Sequence, residues 1–397
     1  MRIPNSTAHL APASCQACAS ARLEPFYRVG QIPVHSAVLV KSRAEALAFP
    51  RGDLELALCP ACGFIQNRLF APERLDYSTG YEETQGFSPT FSRWAQRLVE
   101  NLVEGYGVRG QTVLEIGCGK GEFLAGLCRA GENRGIGIDP GLALERLPHL
   151  EQIEWIGGLY QDHAERTREA QTVLCRHTLE HIAAVGRFVG QIRAAMNPQT
   201  LLFLEVPDTR RILEEKAFWD IYYEHCSYFT QGSLGRLLRA QGLRVLENRR
   251  DYGGQYVLAF ARAEEPNPIL PQERDLDHLY RLVQRFSRAV PSVIQAWRKR
   301  LEAWHKRGKR VVLWAASSKS VAFLTTLAVS DEVAYVVDIN PHKHGHYLPG
   351  SGHRVVGPSD LEQAAPDVVL VMNPLYTEEI RRDLAGRGLE PELVLLE

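Results

Sequence analysis

No stretch of this chain approaches the roughly 20 consecutive apolar residues that a membrane-spanning helix requires. The opening segment, MRIPNSTAHLAPAS, also lacks an apolar run, so no signal peptide is expected. An excess of either charge is missing too: 46 Lys and Arg face 47 Asp and Glu, for a formal net charge of -1. That balance argues against a broad nucleic-acid surface and leaves a local basic pocket open. Nor is there a disorder signature, with 45% hydrophobic and 23% charged residues. At 397 residues the chain exceeds one ordinary core, and two or three domains are expected. Its eight cysteines, with no secretory signal beside them, read as cytosolic thiols or metal ligands rather than disulfides. A cytoplasmic monomer or homodimer is expected, with a small-molecule substrate and neither nucleic acid nor membrane as partner.

What is present falls into three blocks. The first 70 residues look small and irregular and carry two Cys-x-x-Cys pairs. A helix is expected over PTFSRWAQRLVENLVEGY, apolar at helical spacing. From Thr112 short apolar runs (TVLEIG, RGIGID, TVLCRH, TLLFLEVP and later QYVLAFAR) alternate with helices such as GEFLAGLCRAG and LGRLLRAQGL. That alternation predicts a mostly parallel, doubly wound α/β sheet. AEEPNPILPQERD, residues 263–275, is proline-rich and charged, which marks a boundary or linker. Beyond it comes a helical stretch interrupted at Pro291. A second α/β pattern follows in VVLWAASSKSVAFL, VAYVVDINP, PDVVLVMNP and ELVLLE, with no sequence repeat between the two. The expected domains are 1–72, 73–265 and 266–397.

Cys15 and Cys18 form one pair, and Cys59 and Cys62 the other. Two such turns complete a closed tetrahedral Zn²⁺ site with no open position, so the expected metal is structural. The alternative is two unrelated redox or buried pairs.

VLEIGCGKGEFL places Gly117, Gly119 and Gly121 between a strand and a helix, with Glu115 in the strand and Asp139 at the tip of the next one. Glycines let backbone approach a ligand, and a carboxylate at the second tip can hold both ribose hydroxyls. The third glycine of the G-x-G-x-x-G fingerprint is missing. The pattern matches the S-adenosylmethionine site of a class I methyltransferase, with a dinucleotide-binding Rossmann domain as the alternative.

YYEHCSYF, residues 222–229, sets Glu224 and His225 among aromatics. It reads either as a satisfied core turn or as a general base in a pocket. His181 ends RHTLEH just beyond a strand's carboxyl end, where open α/β sheets place ligands, and His177 is closer to the strand tip and to a cofactor.

Taken in order, the cysteine pairs, VLEIGCGKG, CRHTLEHI, LFLEVPD, YYEHCSYF and VVDINPHKHGHYLPG resemble the sugar C-methyltransferases that act on nucleotide-linked 4-keto-deoxysugars in antibiotic pathways. The resemblance spans nearly the whole chain. It implies an N-terminal zinc domain, a central class I methyltransferase domain and a C-terminal Rossmann-like α/β domain. It implies that YEETQGFSPTF, which begins at Tyr81, closes over the cofactor. In DYGGQ, Tyr252 stands where the family often has His, on the substrate side. LWAASSKS keeps Lys319, a cation for a substrate phosphate or carboxylate, and lacks the glycines that let backbone N–H groups approach a pyrophosphate. In this company His225 is the expected base for a carbon acid next to a ketone. Tyr222 would donate to the enolate oxygen, Glu224 would orient or support charge, and His181 is the reserve base. O- or N-methylation on the same scaffold, or a non-catalytic binding module, are the competing functions.

Overall fold

The computed structural model describes residues 14–77, 80–82 and 84–396; the opening segment before Ser14 lies outside them. Three sheets organise the chain. The first begins with β1 (Glu24–Pro33), β2 (Arg51–Leu58) and β3 (Ile65–Asn67), all antiparallel. The block expected to be irregular is therefore a sheet. Two register breaks in β1, with Gln31 in left-handed backbone, disturb the alternation that would have revealed it.

The second sheet contains β4 (Thr112–Ile116), β5 (Arg134–Asp139), β6 (Ile153–Gly157), β7 (Thr172–Arg176) and β8 (Leu201–Pro207). The chain then returns to the first sheet: Ser227–Tyr228 (β9) pairs antiparallel with β3 and becomes its fourth strand. β10 (Arg244–Asp251) and β11 (Tyr256–Arg262) close the second sheet, whose order is β10-β11-β8-β7-β4-β5-β6. Neighbours from β6 to β8 are parallel, and β11 lies antiparallel between β8 and β10. This is the class I methyltransferase arrangement. A third sheet, wholly parallel, holds β12 (Val311–Trp314), β13 (Tyr335–Val337), β14 (Val355–Val356), β15 (Val368–Val371) and β16 (Glu392–Leu395) in the order β14-β13-β12-β15-β16. Its central strands, VVLW and VVLV, are buried at every residue, as parallel strands covered on both faces must be.

The helical stretch expected to break at Pro291 is one helix, Leu276–Lys306. The proline costs one backbone donor there. The buried face outweighs it: Phe286, Val290, Trp297, Leu301 and Trp304 run along one side on both flanks of the proline. Phe286 packs edge-on against Tyr27 of β1 at 5.5 Å, and Trp297 against Phe323 of the third sheet's first helix at 5.4 Å. One apolar cluster thus runs from the cysteine-bearing sheet through Trp219 and Tyr223 to Val336. The segment 263–275 is not slack either, because Glu273 is buried against Arg239 at 2.7 Å. No helix among the described residues is long and apolar enough to cross a membrane.

Phe286→Ala removes the side chain that this shared cluster is built around. It is expected to cost about 3–5 kcal/mol. Urea unfolding followed by near-ultraviolet signals of the aromatic core should show that loss in a single shifted midpoint.

Candidate active site

The carboxyl ends of the second and third sheets face one cavity of about 1010 Å³. Parallel α/β sheets bind ligands there, where crossover connections diverge and leave a crevice.

At the methyltransferase end, Gly117 has φ 71°, and a Cβ there would lie 2.0 Å from Thr178 Oγ1, so only glycine fits between strand and turn. Gly119 N–H donates to Asp139 Oδ2 at 2.9 Å and Gly141 N–H to Oδ1 at 2.7 Å. One carboxylate therefore braces both loops and still lines the cavity. Lys120 Nζ donates to the Tyr81 carbonyl at 2.8 Å, tying the loop to the segment over it. Glu115 is buried beneath the loop. Burial raises its carboxyl to about 7 despite the nearby Arg176, 3.9 Å away.

The third sheet repeats the device. Asp338, just after β13, accepts from Ala316 N–H at 2.7 Å and Asn340 N–H at 2.8 Å.

Between the two ends sits a chain of imidazoles and carboxylates. His177 follows β7 with φ 47°. Its Nε2 lies 2.7 Å from Glu205 and its Nδ1 3.3 Å from Glu180. Burial works against its charge, but the two carboxylates outweigh it and the imidazole is raised to about 9. Glu205 also pairs with Arg176 at 2.7 Å; burial is overcome and the carboxyl falls to about 2.

YYEHCSYF divides between the two readings. Tyr223, Cys226, Tyr228 and Phe229 are core. Tyr223 fills the space above Gly52, where a Cβ would meet its ring at 2.4 Å, and its hydroxyl accepts from Ala71 N–H at 3.0 Å. Tyr222 and His225 instead line the cavity, with ring centroids 4.1 Å apart. His181 meets His225 edge-on at 4.8 Å. Burial, together with the neighbouring His181 and His177, holds His225 well below its ordinary value, so it is neutral near pH 7.

Glu224 does not line the cavity. Its carboxylate faces the N-terminal strand, accepting from His35 Nδ1 at 3.1 Å, Ser36 N–H at 3.1 Å, the Ser36 hydroxyl and Tyr81 OH at 3.3 Å. His35 Nε2 accepts from Asp76 N–H at 2.9 Å, which fixes the tautomer that donates to Glu224.

Lys319 lines the cavity but is paired: its ammonium lies 2.7 Å from Asp220, which Arg211 also holds at 2.5 Å. Tyr252 stands behind the wall, stacked on Tyr256 at 5.1 Å and bonded to Tyr376 OH at 2.8 Å. Tyr256 and Gln255 take the wall position that Tyr252 was expected to hold. Sequence reading missed His35, Asp220 and Asp338. The acid at the tip of VAYVVDIN was the one available signal, since it repeats the position of Asp139.

The four cysteines converge. Cys15 and Cys62 Sγ atoms are 3.6 Å apart, Cys18 and Cys59 3.7 Å, and all four lie within 4.8 Å of one another. Tetrahedral Zn–S bonds of about 2.3 Å place sulfurs about 3.8 Å apart, so the quartet fits the ion. The two turns match: Ala19 N–H donates to Cys15 O and Gly63 N–H to Cys59 O, both at 2.8 Å.

Glu82 joins the two ends of the cavity, accepting from Arg146 on one side and from Asn340 Nδ2, at 2.8 Å, on the other. Burial pushes its carboxyl up, but Arg146 and Asn340 outweigh it and hold it below 4.5. A depressed folded value adds stability that is complete above the unfolded value and disappears as pH falls through the folded one. Glu82→Gln is therefore expected to cost on the order of 1.5–3 kcal/mol at pH 7. In paired urea titrations the gap between wild type and variant should stay constant above pH 5 and close below about pH 4.3.

Comparison with known proteins agrees with this geometry. Residues 88–248 match a methyltransferase domain family, and residues 258–388 match a C-methyltransferase C-terminal domain family. The chain is 28% identical over 302 residues to the C-methyltransferase NovU of Streptomyces niveus, covering 72% of each protein. Among solved structures it is similar to the 1,6-didemethyltoxoflavin-N1-methyltransferase of Burkholderia thailandensis, with S-adenosylhomocysteine bound (TM-score 0.34, 18% identity, 45% of this chain and 84% of that one). The magnesium protoporphyrin IX methyltransferase of Synechocystis PCC 6803 is a second such structure (TM-score 0.34, 14% identity, 44% and 83%). With a methyltransferase domain, its doubly wound sheet and its glycine loop braced by Asp139, the chain is an S-adenosylmethionine-dependent methyltransferase.

Proposed function

We propose that this enzyme methylates carbon next to a ketone, on a nucleotide-linked deoxysugar or a similar activated carbonyl compound, with His225 as the general base. The observation that carries the reading is a neutral imidazole in the cavity wall, with the Tyr222 ring against it and His181 beside it. A neutral imidazole accepts a proton, and a phenol held close donates to the oxygen where charge develops. His225 takes the proton from the carbon acid, and the C–H electron pair moves into an enolate whose oxygen Tyr222 stabilises. S-adenosylmethionine, when bound at the Asp139 end, would supply the electrophilic methyl of a sulfonium to the enolate carbon, its sulfur leaving as a neutral thioether. Asp139 holds the ribose hydroxyls, with Tyr81, Glu115, Gly117, Gly119 and His177 completing that end of the cavity. Glu224 fixes the turn that carries His225 rather than touching substrate.

The C-methyltransferase C-terminal family and the likeness to NovU support carbon as the acceptor. The two-ended cavity supports a substrate larger than the methyl-accepting ring. At the far end Lys319 and Arg211 line the cavity, their charges balanced by Asp220 between them and by Glu215 on Arg211. The four cysteines hold a structural Zn²⁺.

His225→Ala is expected to keep cofactor affinity, by calorimetry, and to lose turnover by about 10²–10⁴-fold. Wild type in D₂O without cofactor should wash deuterium into a ketone substrate, and His225→Ala should not. A methylated product formed with no such exchange would point to oxygen or nitrogen as the acceptor. Metal analysis of protein dialysed against a mild chelator should find one zinc per chain. Cys59→Ser should lose that zinc together with folding stability.

A further inference from the structure

Three donors meet in the cavity wall beside the proposed base. Glu180, His181 and His225 each place one ligand atom within 4.8 Å of the others'. Their state is what a metal requires. Glu180 is 1% exposed and its Oε2 has no hydrogen-bond partner, although His177 engages Oε1 at 3.3 Å. A buried carboxylate oxygen left unpaired calls for an explanation. His181 Nδ1 lies 3.1 Å from the Glu224 carbonyl, which can only accept, and 3.2 Å from the Tyr77 hydroxyl, whose oxygen can accept too, so a proton on Nδ1 serves both and Nε2 keeps its lone pair. A ring N–H held by a backbone carbonyl is the usual support for a metal-binding imidazole. All three residues line the cavity, which gives an ion a path in and open positions for water or substrate oxygen.

We propose that Glu180, His181 and His225 form a second metal site, distinct from the cysteine quartet, that takes a divalent first-row transition ion such as Co²⁺, Ni²⁺ or Fe²⁺. Two imidazoles and one carboxylate on one side of an open site suit those ions, whereas Mg²⁺ prefers oxygen ligands and keeps its water. An ion bound here occupies the lone pair of His225. If His225 is the base, as the proposed function holds, the ion is an inhibitor of turnover.

The test adds Co²⁺ to full-length protein that retains its cysteine-bound metal, with Mg²⁺ as control. The expected result is one further Co²⁺ per chain, with weak visible d–d bands and no thiolate-to-cobalt charge-transfer band in the near ultraviolet. Glu180→Gln, which preserves shape, and His181→Ala should each weaken binding at least 10-fold, and Mg²⁺ should not compete. Should His181→Ala fail to fold, Glu180→Gln decides. Absence of a further ion, cobalt bound only with thiolate charge transfer, or Glu180→Gln binding as tightly as wild type would overturn the site. A parallel turnover assay separates the two readings. Loss of activity at the cobalt concentration that fills the site, reversed by chelator, agrees with both. Full activity with the site filled upholds the site and counts against His225 as base.

Discussion

The hydrogen bonds that converge on the Glu224 carboxylate join distant parts of the chain. His35 and Ser36 reach it from the end of the first sheet, and Tyr81 reaches it from the segment above the cofactor loop. The Ser36 hydroxyl lies in turn 2.8 Å from that of Ser318, at the start of a helix of the third sheet. A carboxylate this deeply buried is tolerable only because every approach to it is a donor. Burial alone would raise its affinity for a proton; His35, His181 and Ser36 together hold it below its ordinary range, and it stays charged. The next residue is His225, whose imidazole sits in the opposite state, buried and neutral. Adjacent residues therefore hold contrary states: one is a charged anchor, the other a neutral imidazole in the cavity wall.

The cavity is a consequence of two sheets built to one plan. In each, the first strand ends in a loop, the second ends in aspartate, and that aspartate ties both loops through backbone donors. Asp139 and Asp338 differ in what surrounds them. The first lies beside Gly117, pressed against Thr178, and Gly119, whose N–H donates to it. The second lies beside Ala316 and Ser317, with Lys343 reaching both the Ala316 carbonyl and the aspartate. The missing glycines thus coincide with a loop braced by side chains, and the cations that line the cavity there, Lys319 and Arg211, are paired with Asp220 and Glu215.

Much of this was legible in the sequence where one short segment carries the whole signal. VVLW and VVLV announce buried parallel strands because both faces are apolar, and TVLEI does so with one buried acid, Glu115. The glycine loop is legible for the same reason, with Gly117, Gly119 and Asp139 inside one strand–turn–helix–strand unit. The edge strands β6 and β10 were not legible, because IEWIG and RVLENRRD are half-exposed and carry charge on the open side. Nor was the support of the turn. His35 and Glu224 are 189 residues apart, and no local pattern in VHSA or YYEHC points from one to the other. The octapeptide was undecidable by itself because it alternates: Tyr222 and His225 go to the cavity, Tyr223 and Cys226 to the core.

The fourth strand of the cysteine-bearing sheet comes from residues 227–228, and its apolar floor comes from Phe286 and Phe323. As the chain leaves the ribosome, the first 70 residues can close their two cysteine turns but cannot complete their sheet or bury its underside. That must wait until Phe286 and Phe323 have been made. The nascent N-terminal segment is thus a tethered pair of cysteine turns with an open edge and a bare apolar face. β9 and the long helix complete that edge and cover that face, and the turn that leads into β9 is the one that seats His225 against the cavity.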